Sequence, residues 1–218
     1  MSVNENYGRQ CLIVASGVID ALCTVLESRS AEVGDHAVRI KGYTRLLLEQ
    51  VNGVYKMQLS AEEQEIACYA SVLHDVGKIA IPDNILLKPG RFTREEFEIM
   101  KQHTLLGSKI IDSIHGHEDK RFLECCHTIC RYHHERYDGK GYPDGLAGED
   151  IPLVAQIVSL ADVYEALTSK RSYRQSFSPE KAYEMIVGGE CGAFSPNILS
   201  CLARAKSQME EFAHQTLV

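Results

Sequence analysis

Three observations predict an all-α fold for this chain. Apolar residues recur at helical spacing, glycine and proline concentrate in two segments, and the period-two alternation typical of strands is almost absent. The chain has 218 residues, of which 44% are hydrophobic and 24% charged, so it can bury a core without disulfides. We therefore expect a helical bundle of roughly seven to nine helices.

The predicted helices follow one another along the chain. The apolar segment from Cys11 to Leu26 contains Gly17 and Asp20, so it is too short and too polar to span a bilayer. We expect an N-terminal helix within residues 1–29 that packs on its own domain or on a second copy, and one domain over residues 30–218. Periodicity, capping residues and prolines predict further helices over 33–51, 61–75, 93–110, 120–133 and 152–168, and two more opened by Ser178-Pro179 and Ser195-Pro196.

Two segments are predicted to be irregular. Residues 81–91 contain two prolines and a glycine, and residues 134–150 contain four glycines and a proline. Long irregular segments inside a compact helical domain usually carry function.

Charge and cysteine content exclude several classes of protein. The formal net charge of -7 argues against a protein that tracks a nucleic-acid backbone, so no polymeric nucleic acid is expected as a partner. No signal peptide is visible, and the scattered cysteines indicate free thiols in a reducing, cytoplasmic compartment. Cys125, Cys126 and Cys130 could form a zinc site with His127, but a second Cys-x-x-Cys pair is missing.

Histidines and carboxylates supply a candidate metal-binding set. A lone histidine on a helix is usually a satisfied core group, but several together are costly to bury unless they share a partner such as a metal ion. Eight donors exceed the four that one tetrahedral ion needs, so two or three divalent ions are expected. Nitrogen and oxygen donors favour iron or manganese, with nickel or zinc as alternatives. The candidates are Glu32, His36, His74, Asp75, His103, His133, His134 and Asp162.

The charge balance of this set favours a phosphate ligand. Three carboxylates beside two divalent ions leave a net positive charge, and Lys78, three residues after Asp75, adds another. The acidic chain would thus contain one locally cationic pocket.

Two long motifs carry a family resemblance. Residues 73–78 read Leu-His-Asp-Val-Gly-Lys, and residues 133–143 read His-His-Glu-Arg-Tyr-Asp-Gly-Lys-Gly-Tyr-Pro. Both resemble signatures of the HD-GYP subfamily of HD-domain phosphohydrolases, as do the shorter segments 81–83, 88–90, 161–162 and 171–174. The resemblance implies an HD-type helical bundle that hydrolyses cyclic di-GMP to linear pGpG, GMP or both, by means of a hydroxide bridging two or three metal ions.

The resemblance also implies roles for individual residues. Asp75 would bridge two ions, with His74, His103, His133, His134 and Asp162 as the other ligands of the pair and Glu32 and His36 as ligands of a third ion. Lys78 would contact the scissile phosphate during catalysis, and Tyr142 would lie over the site. Arg171 and Arg174 match positions that hold the second phosphate; a solvated charge at a helix end is the alternative for both.

Departures from the family pattern leave the ligands intact. Ser172 stands where proline is usual, and Glu165 and Ser195 stand where aspartate is common. These changes leave the substrate preference open between cyclic di-GMP and cyclic GMP-AMP.

The same residues leave two other functions open and exclude two more. A non-catalytic cyclic-dinucleotide receptor or scaffold stays open, as does an HD-type hydrolase of a nucleoside triphosphate or alarmone. A zinc peptidase is excluded because Asp138 stands where its second histidine is required, and a P-loop hydrolase because Ile79 follows Lys78. A homodimer and a protein partner at the Gly-Tyr-Pro loop are further candidate interactions.

Overall fold

The computed structural model describes residues 35–56, 58–115, 120–169 and 176–216, together with residues 17, 19, 21, 23–25 and 28–29. This described part contains α-helices, two 3-10 helices and no strand, which confirms the all-α prediction. Its α-helices are α1 (His36–Val54), α2 (Ala61–Ser71), α3 (Asp83–Leu86), α4 (Arg94–Asp112), α5 (Arg121–Tyr132), α6 (Leu153–Thr168), α7 (Pro179–Val187) and α8 (Pro196–Thr216). The 3-10 helices span Val76–Ala80 and Gly148–Asp150.

The predicted capping residues begin their helices. Thr93 Oγ1 accepts from the Glu96 backbone N–H at 3.3 Å, and Glu96 Oε2 accepts from the Thr93 N–H at 2.7 Å. Ser178 Oγ accepts from the Lys181 N–H, three residues into α7. These bonds satisfy backbone donors that have no partner within the helix, so the local sequence sets the starts of α4 and α7.

One helix ends earlier than predicted. The helix expected over residues 61–75 stops at Ser71, and His74 and Asp75 lie in a turn before the 3-10 helix Val76–Ala80. Gly77 explains the change of course, because a Cβ there would lie 1.9 Å from the backbone oxygen of His103 in α4. The chain leaves its helical path to pass directly against α4.

The first irregular segment also differs from prediction. Residues 81–91 contain the single-turn helix α3, in which the Ile85 N–H donates to the Pro82 oxygen. Pro82 suits the position before a helix because proline has no backbone N–H and so leaves no donor without a partner there. Buried Ile85 anchors the turn.

Two apolar clusters form the core. The first joins α1, α6, α7 and α8 through residues such as Tyr43, Leu160 and Leu202. The second joins the end of α2 to α5, and it also buries Ile19 and Cys23 from the N-terminal helical positions. The polar site described below lies beside this second cluster, at the junction of α1, α4, α5, α6 and the turn after α2.

The core also accounts for the cysteine cluster. Cys126 and Cys130 are fully buried in the second cluster, and burial raises the pKa of the Cys130 thiol. Among the described residues, the groups able to hold a metal ion contain no cysteine. None of the described helices is both long and apolar enough to cross a bilayer.

Candidate metal centre

Two groups of donor atoms meet in one polar pocket. Asp75, His103, His133 and His134 form the first group, and His36, His74 and Asp75 form the second. Within each group the donor atoms lie within 4.8 Å of one another. The groups share Asp75, which the turn after α2 presents between α1, α4 and the end of α5.

The two oxygens of Asp75 face different partners. Oδ1 lies 3.2 Å from His103 Nε2 and 3.8 Å from His133 Nε2. Oδ2 lies 3.1 Å from His74 Nε2 and 2.7 Å from Lys78 Nζ. One carboxylate can therefore contribute an oxygen to each of two neighbouring cations.

Backbone carbonyls orient three of the imidazole rings. His74 Nδ1 lies 2.9 Å from the Ser71 oxygen, and His103 Nδ1 lies 2.7 Å from the Met100 oxygen. His133 Nδ1 contacts the oxygen of Ile129 in the same way at 2.9 Å. Because a carbonyl oxygen only accepts, Nδ1 carries a proton in each ring, and in the neutral form of the ring an unprotonated Nε2 faces the pocket.

The pocket has the unmet polar requirements of a cation site. His103 Nε2 and His133 Nε2 lie 3.5 Å apart, although neither nitrogen can donate to the other once Nδ1 carries the proton. His74 Nε2 and Asp75 Oδ1 are buried and make no hydrogen bond to any described group outside the pocket. Imidazole and carboxylate donors without thiolate suit divalent transition metals. These residues therefore fit a metal-dependent centre, in which ions in the two donor groups would satisfy these four atoms.

Burial and charge set the protonation states of the donors. Burial lowers the pKa of His103, and lowers those of His133 and His134 well below the usual value, which favours neutral rings. Burial disfavours the Asp75 carboxylate, but Lys78 and His74 outweigh it and hold the pKa of Asp75 well below its usual range. Burial likewise opposes the charged form of His74, yet Asp75 raises its pKa to about 9. A metal ion would compete with that proton.

The remaining predicted ligands differ in position. Asp162 Oδ1 lies 3.9 Å from His74 Nε2, at the edge of the pocket and outside both donor groups. Glu32, predicted as a ligand of a third ion, lies outside the described residues, as do Arg171 and Arg174.

The Gly-Tyr-Pro loop packs against the first donor group. The Tyr142 ring stacks on His134 with a centroid distance of 4.7 Å and an interplanar angle of 29°. Glu135 is 3% exposed and its Oε1 accepts from the N–H groups of Asp144 and Gly145, at 2.8 and 3.0 Å. These hydrogen bonds hold the loop against Glu135, the residue that follows His133 and His134.

The comparisons with known proteins identify the family. The family model described as HD domain matches residues 26–195, most of the chain. This chain belongs to the HD-domain family.

Curated relatives of this HD-domain chain include cyclic dinucleotide hydrolases. It is 38% identical over 197 residues to a cyclic di-GMP phosphodiesterase response regulator of Xanthomonas campestris, covering 90% of this chain and 50% of the relative. It is 36% identical over 181 residues to 3'3'-cGAMP-specific phosphodiesterase 2 of Vibrio cholerae, covering 83% of this chain and 33% of the relative. The chain thus spans about half the length of the curated relatives it matches, or less.

Solved structures show the same fold at low sequence identity. An HDG"Y"P protein from Bdellovibrio bacteriovorus matches with a TM-score of 0.62 and 17% identity, over 94% of this chain and 63% of that one. A cyclic GMP-AMP specific phosphodiesterase of V. cholerae matches with a TM-score of 0.63 and 17% identity, over 93% and 53%. At this identity the likeness establishes the fold.

The sequence of this HD-domain chain did not indicate the contacts that two residues, Glu165 and Phe97, make beside the site. Glu165 contacts His36, and the Phe97 ring lies 6.1 Å from that of Tyr142 with 43% of Phe97 exposed. A signal for Glu165 was present, because Asp162, Glu165 and Ser169 share one face of a helix at spacings of three and four. No local pattern marks Phe97, whose nearness to Tyr142 depends on how the loop folds.

Proposed function

We propose that this HD-domain chain is a metal-dependent phosphodiesterase that hydrolyses cyclic di-GMP to linear pGpG, GMP or both. The observation that carries this proposal is the convergence of Asp75 and five histidines in one pocket beside Lys78. The relatives named cyclic di-GMP phosphodiesterases, at 34% to 38% identity, support the substrate.

The proposed ligand assignment follows the two donor groups. Asp75, His103, His133 and His134 would hold one ion, and Asp75, His36 and His74 a second, with Asp162 and Glu32 as additional candidates. Bound there, iron or manganese would supply Lewis acidity toward the phosphodiester and lower the pKa of coordinated water.

The chain itself would supply the charge that meets the phosphate. Lys78 Nζ lies 2.7 Å from Asp75 Oδ2, and its side chain is 20% exposed at the pocket. An ammonium in this position can bind a non-bridging phosphate oxygen whose charge grows during in-line attack, and the stabilisation increases as water is excluded.

Aromatic side chains would line the path of the nucleotide. Tyr142 covers His134, and Phe97 continues the aromatic surface toward solvent. Rings of this kind stack with purine bases. In the proposed complex Tyr142 contacts the substrate above the metal centre, and Arg171 and Arg174 are assigned to the second phosphate.

Cyclic GMP-AMP is the second candidate substrate. The 36% identity to a relative named for that substrate favours testing it beside cyclic di-GMP. Both molecules present the same phosphodiester core, so the metal centre would serve either one. Selectivity would then depend on contacts with the bases.

The decisive experiment is turnover of each cyclic dinucleotide by anaerobically prepared, metal-loaded protein. We expect linear product by chromatography, with Lys78→Ala lowering kcat/KM about 100-fold because a phosphate contact is lost. Lys181→Ala is the matched control, since that lysine is half exposed and pairs with Glu184 in α7. Absence of product with either substrate across iron, manganese, nickel and zinc would contradict the proposal, and binding without turnover would favour a receptor.

A further inference from the structure

Glu165 is a buried carboxylate that holds three side chains at once. It lies in α6 and is 1% exposed. Oε1 accepts from Arg39 Nε and Nη2, both at 2.9 Å, and from Ser169 Oγ at 2.6 Å. Oε2 lies 3.2 Å from His36 Nδ1. One carboxylate oxygen therefore contacts Arg39 and Ser169, and the other contacts His36.

We infer that Glu165 is a positioning residue that orients His36 toward the second donor group. Because a carboxylate oxygen only accepts, the contact requires a proton on His36 Nδ1. The neutral ring then has its lone pair on Nε2. The ring centroids of His36 and His74 lie 5.5 Å apart, and the two histidines share their donor group with Asp75.

His36 is held differently from three of the other rings of the pocket. His74, His103 and His133 take backbone carbonyls close in sequence, whereas His36 takes a charged side chain 129 positions away in another helix. A carboxylate acceptor makes the imidazole a better electron donor than a carbonyl does. The donors around Glu165 favour its charged form, since the Arg39 guanidinium and the Ser169 hydroxyl both donate to Oε1.

Arg39 and Ser169 determine which way the carboxylate is presented. Both donate to Oε1 of Glu165. Because Arg39 is only 5% exposed and cannot turn to water, the atom of residue 165 that faces it has to be a hydrogen-bond acceptor. An amide at this position would keep its oxygen beside Arg39 and Ser169. Its NH2 group would face His36 Nδ1 and donate to it, which moves the ring proton to Nε2 and blocks coordination.

The test compares bound metal in variants of residue 165, and it rests on the proposed metal centre but not on turnover. After anaerobic loading with manganese, folded Glu165→Gln should bind one ion roughly 10–100-fold more weakly than the parent, measured by elemental analysis across a chelator series. Glu165→Asp, which keeps an acceptor, should retain more metal than Glu165→Gln. Glu184→Gln is the matched control because it makes the same change at an exposed carboxylate of α7 that pairs with Lys181 outside both donor groups, and it should bind metal as the parent does.

Two metal results would overturn the inference. Parent-level binding of every ion by Glu165→Gln would show that His36 does not need the carboxylate. Loss of all ions from folded Glu165→Gln would show a role that is not confined to His36. Circular dichroism of each variant establishes that it is folded.

A tautomer measurement tests the inference even if Glu165→Gln fails to fold. Nitrogen-15 NMR of the metal-free parent at alkaline pH, where the ring is neutral, should show His36 protonated on Nδ1. Protonation on Nε2 would overturn the inference. This measurement needs neither substrate nor metal. If the parent protein bound no metal, the proposed function would be contradicted, but the ring-nitrogen measurement would still show whether Glu165 orients His36.

Discussion

At the scale of single residues, the site depends on a glycine, Gly77, at a position too close to a neighbouring helix for any side chain. Gly77 lies between Asp75 and Lys78, and a Cβ there would come within 1.9 Å of the His103 oxygen and 2.4 Å of the Gly107 nitrogen. Both atoms belong to the backbone of α4, which cannot move aside like a flexible side chain. Because the chain passes so close to α4 at Gly77, Asp75 Oδ1 can lie 3.2 Å from His103 Nε2.

Gly77→Ala should therefore damage the fold and the metal site together. Separating the 3-10 helix from α4 is expected to cost about 1–3 kcal/mol of stability, as overpacking usually does, and to lower the number of ions bound. Thermal unfolding and elemental analysis measure the two effects. Gly17→Ala is the control, because a Cβ at that exposed helical position meets no heavy atom within 4 Å. An unchanged melting temperature for Gly77→Ala would contradict the proposed packing.

At the scale of elements, local sequence sets helix starts and tertiary contact sets some helix ends. The Thr93–Glu96 capping box opens α4 as the sequence predicted, because all of its bonds lie within four residues. The end of α2 at Ser71 could not be predicted in this way. It depends on the approach of Gly77 to α4, some thirty residues further along the chain.

The capping box of α4 gives a pH-dependent prediction. Hydrogen bonds from Lys88 and from the Thr93 N–H lower the pKa of Glu96 below its ordinary value of 4.5. A lowered folded-state pKa means that the charged form stabilises the fold above pH 4.5 and that this stability is lost as pH falls through the folded pKa. Glu96→Gln should accordingly melt below the parent at pH 7, and the difference should shrink below pH 4.

Thermal melts of parent and variant between pH 3 and pH 7 check this expectation. Glu95→Gln is the matched control, since it removes an adjacent first-turn carboxylate outside the capping box. A melting difference for Glu96→Gln that stays constant over the range would show that the Glu96 charge is not the stabilising feature.

At the scale of the whole molecule, the metal centre joins elements that are far apart in sequence. His36 begins α1, Asp75 follows α2, His103 lies in α4, and His133 follows α5. In the unfolded chain these donors are dispersed, so an ion that binds them together favours the folded state.

Divalent metal should consequently raise the melting temperature of the protein. At a free concentration of about 100 times the dissociation constant, one ion adds about 2.7 kcal/mol of stability. For a chain of this size that corresponds to a rise of roughly 5–10 °C, reversed by a chelator. Asp75→Ala removes the shared ligand and should abolish most of the shift, whereas Asp112→Ala, which removes a carboxylate paired with His127 outside both donor groups, should retain it. An equal shift for Asp75→Ala would place the metal elsewhere.

The sequence by itself determined the helical class and most helix starts, and it supplied a candidate set of metal ligands, because periodicity, caps and donor chemistry are properties of short segments. It also marked the Gly-Tyr-Pro loop through its glycines and proline. Only the tertiary structure decided that Asp75 lies between two donor groups, that Asp162 stands at their edge, and that Glu165 holds His36. These are contacts between side chains distant in sequence, and their geometry depends on how whole helices pack.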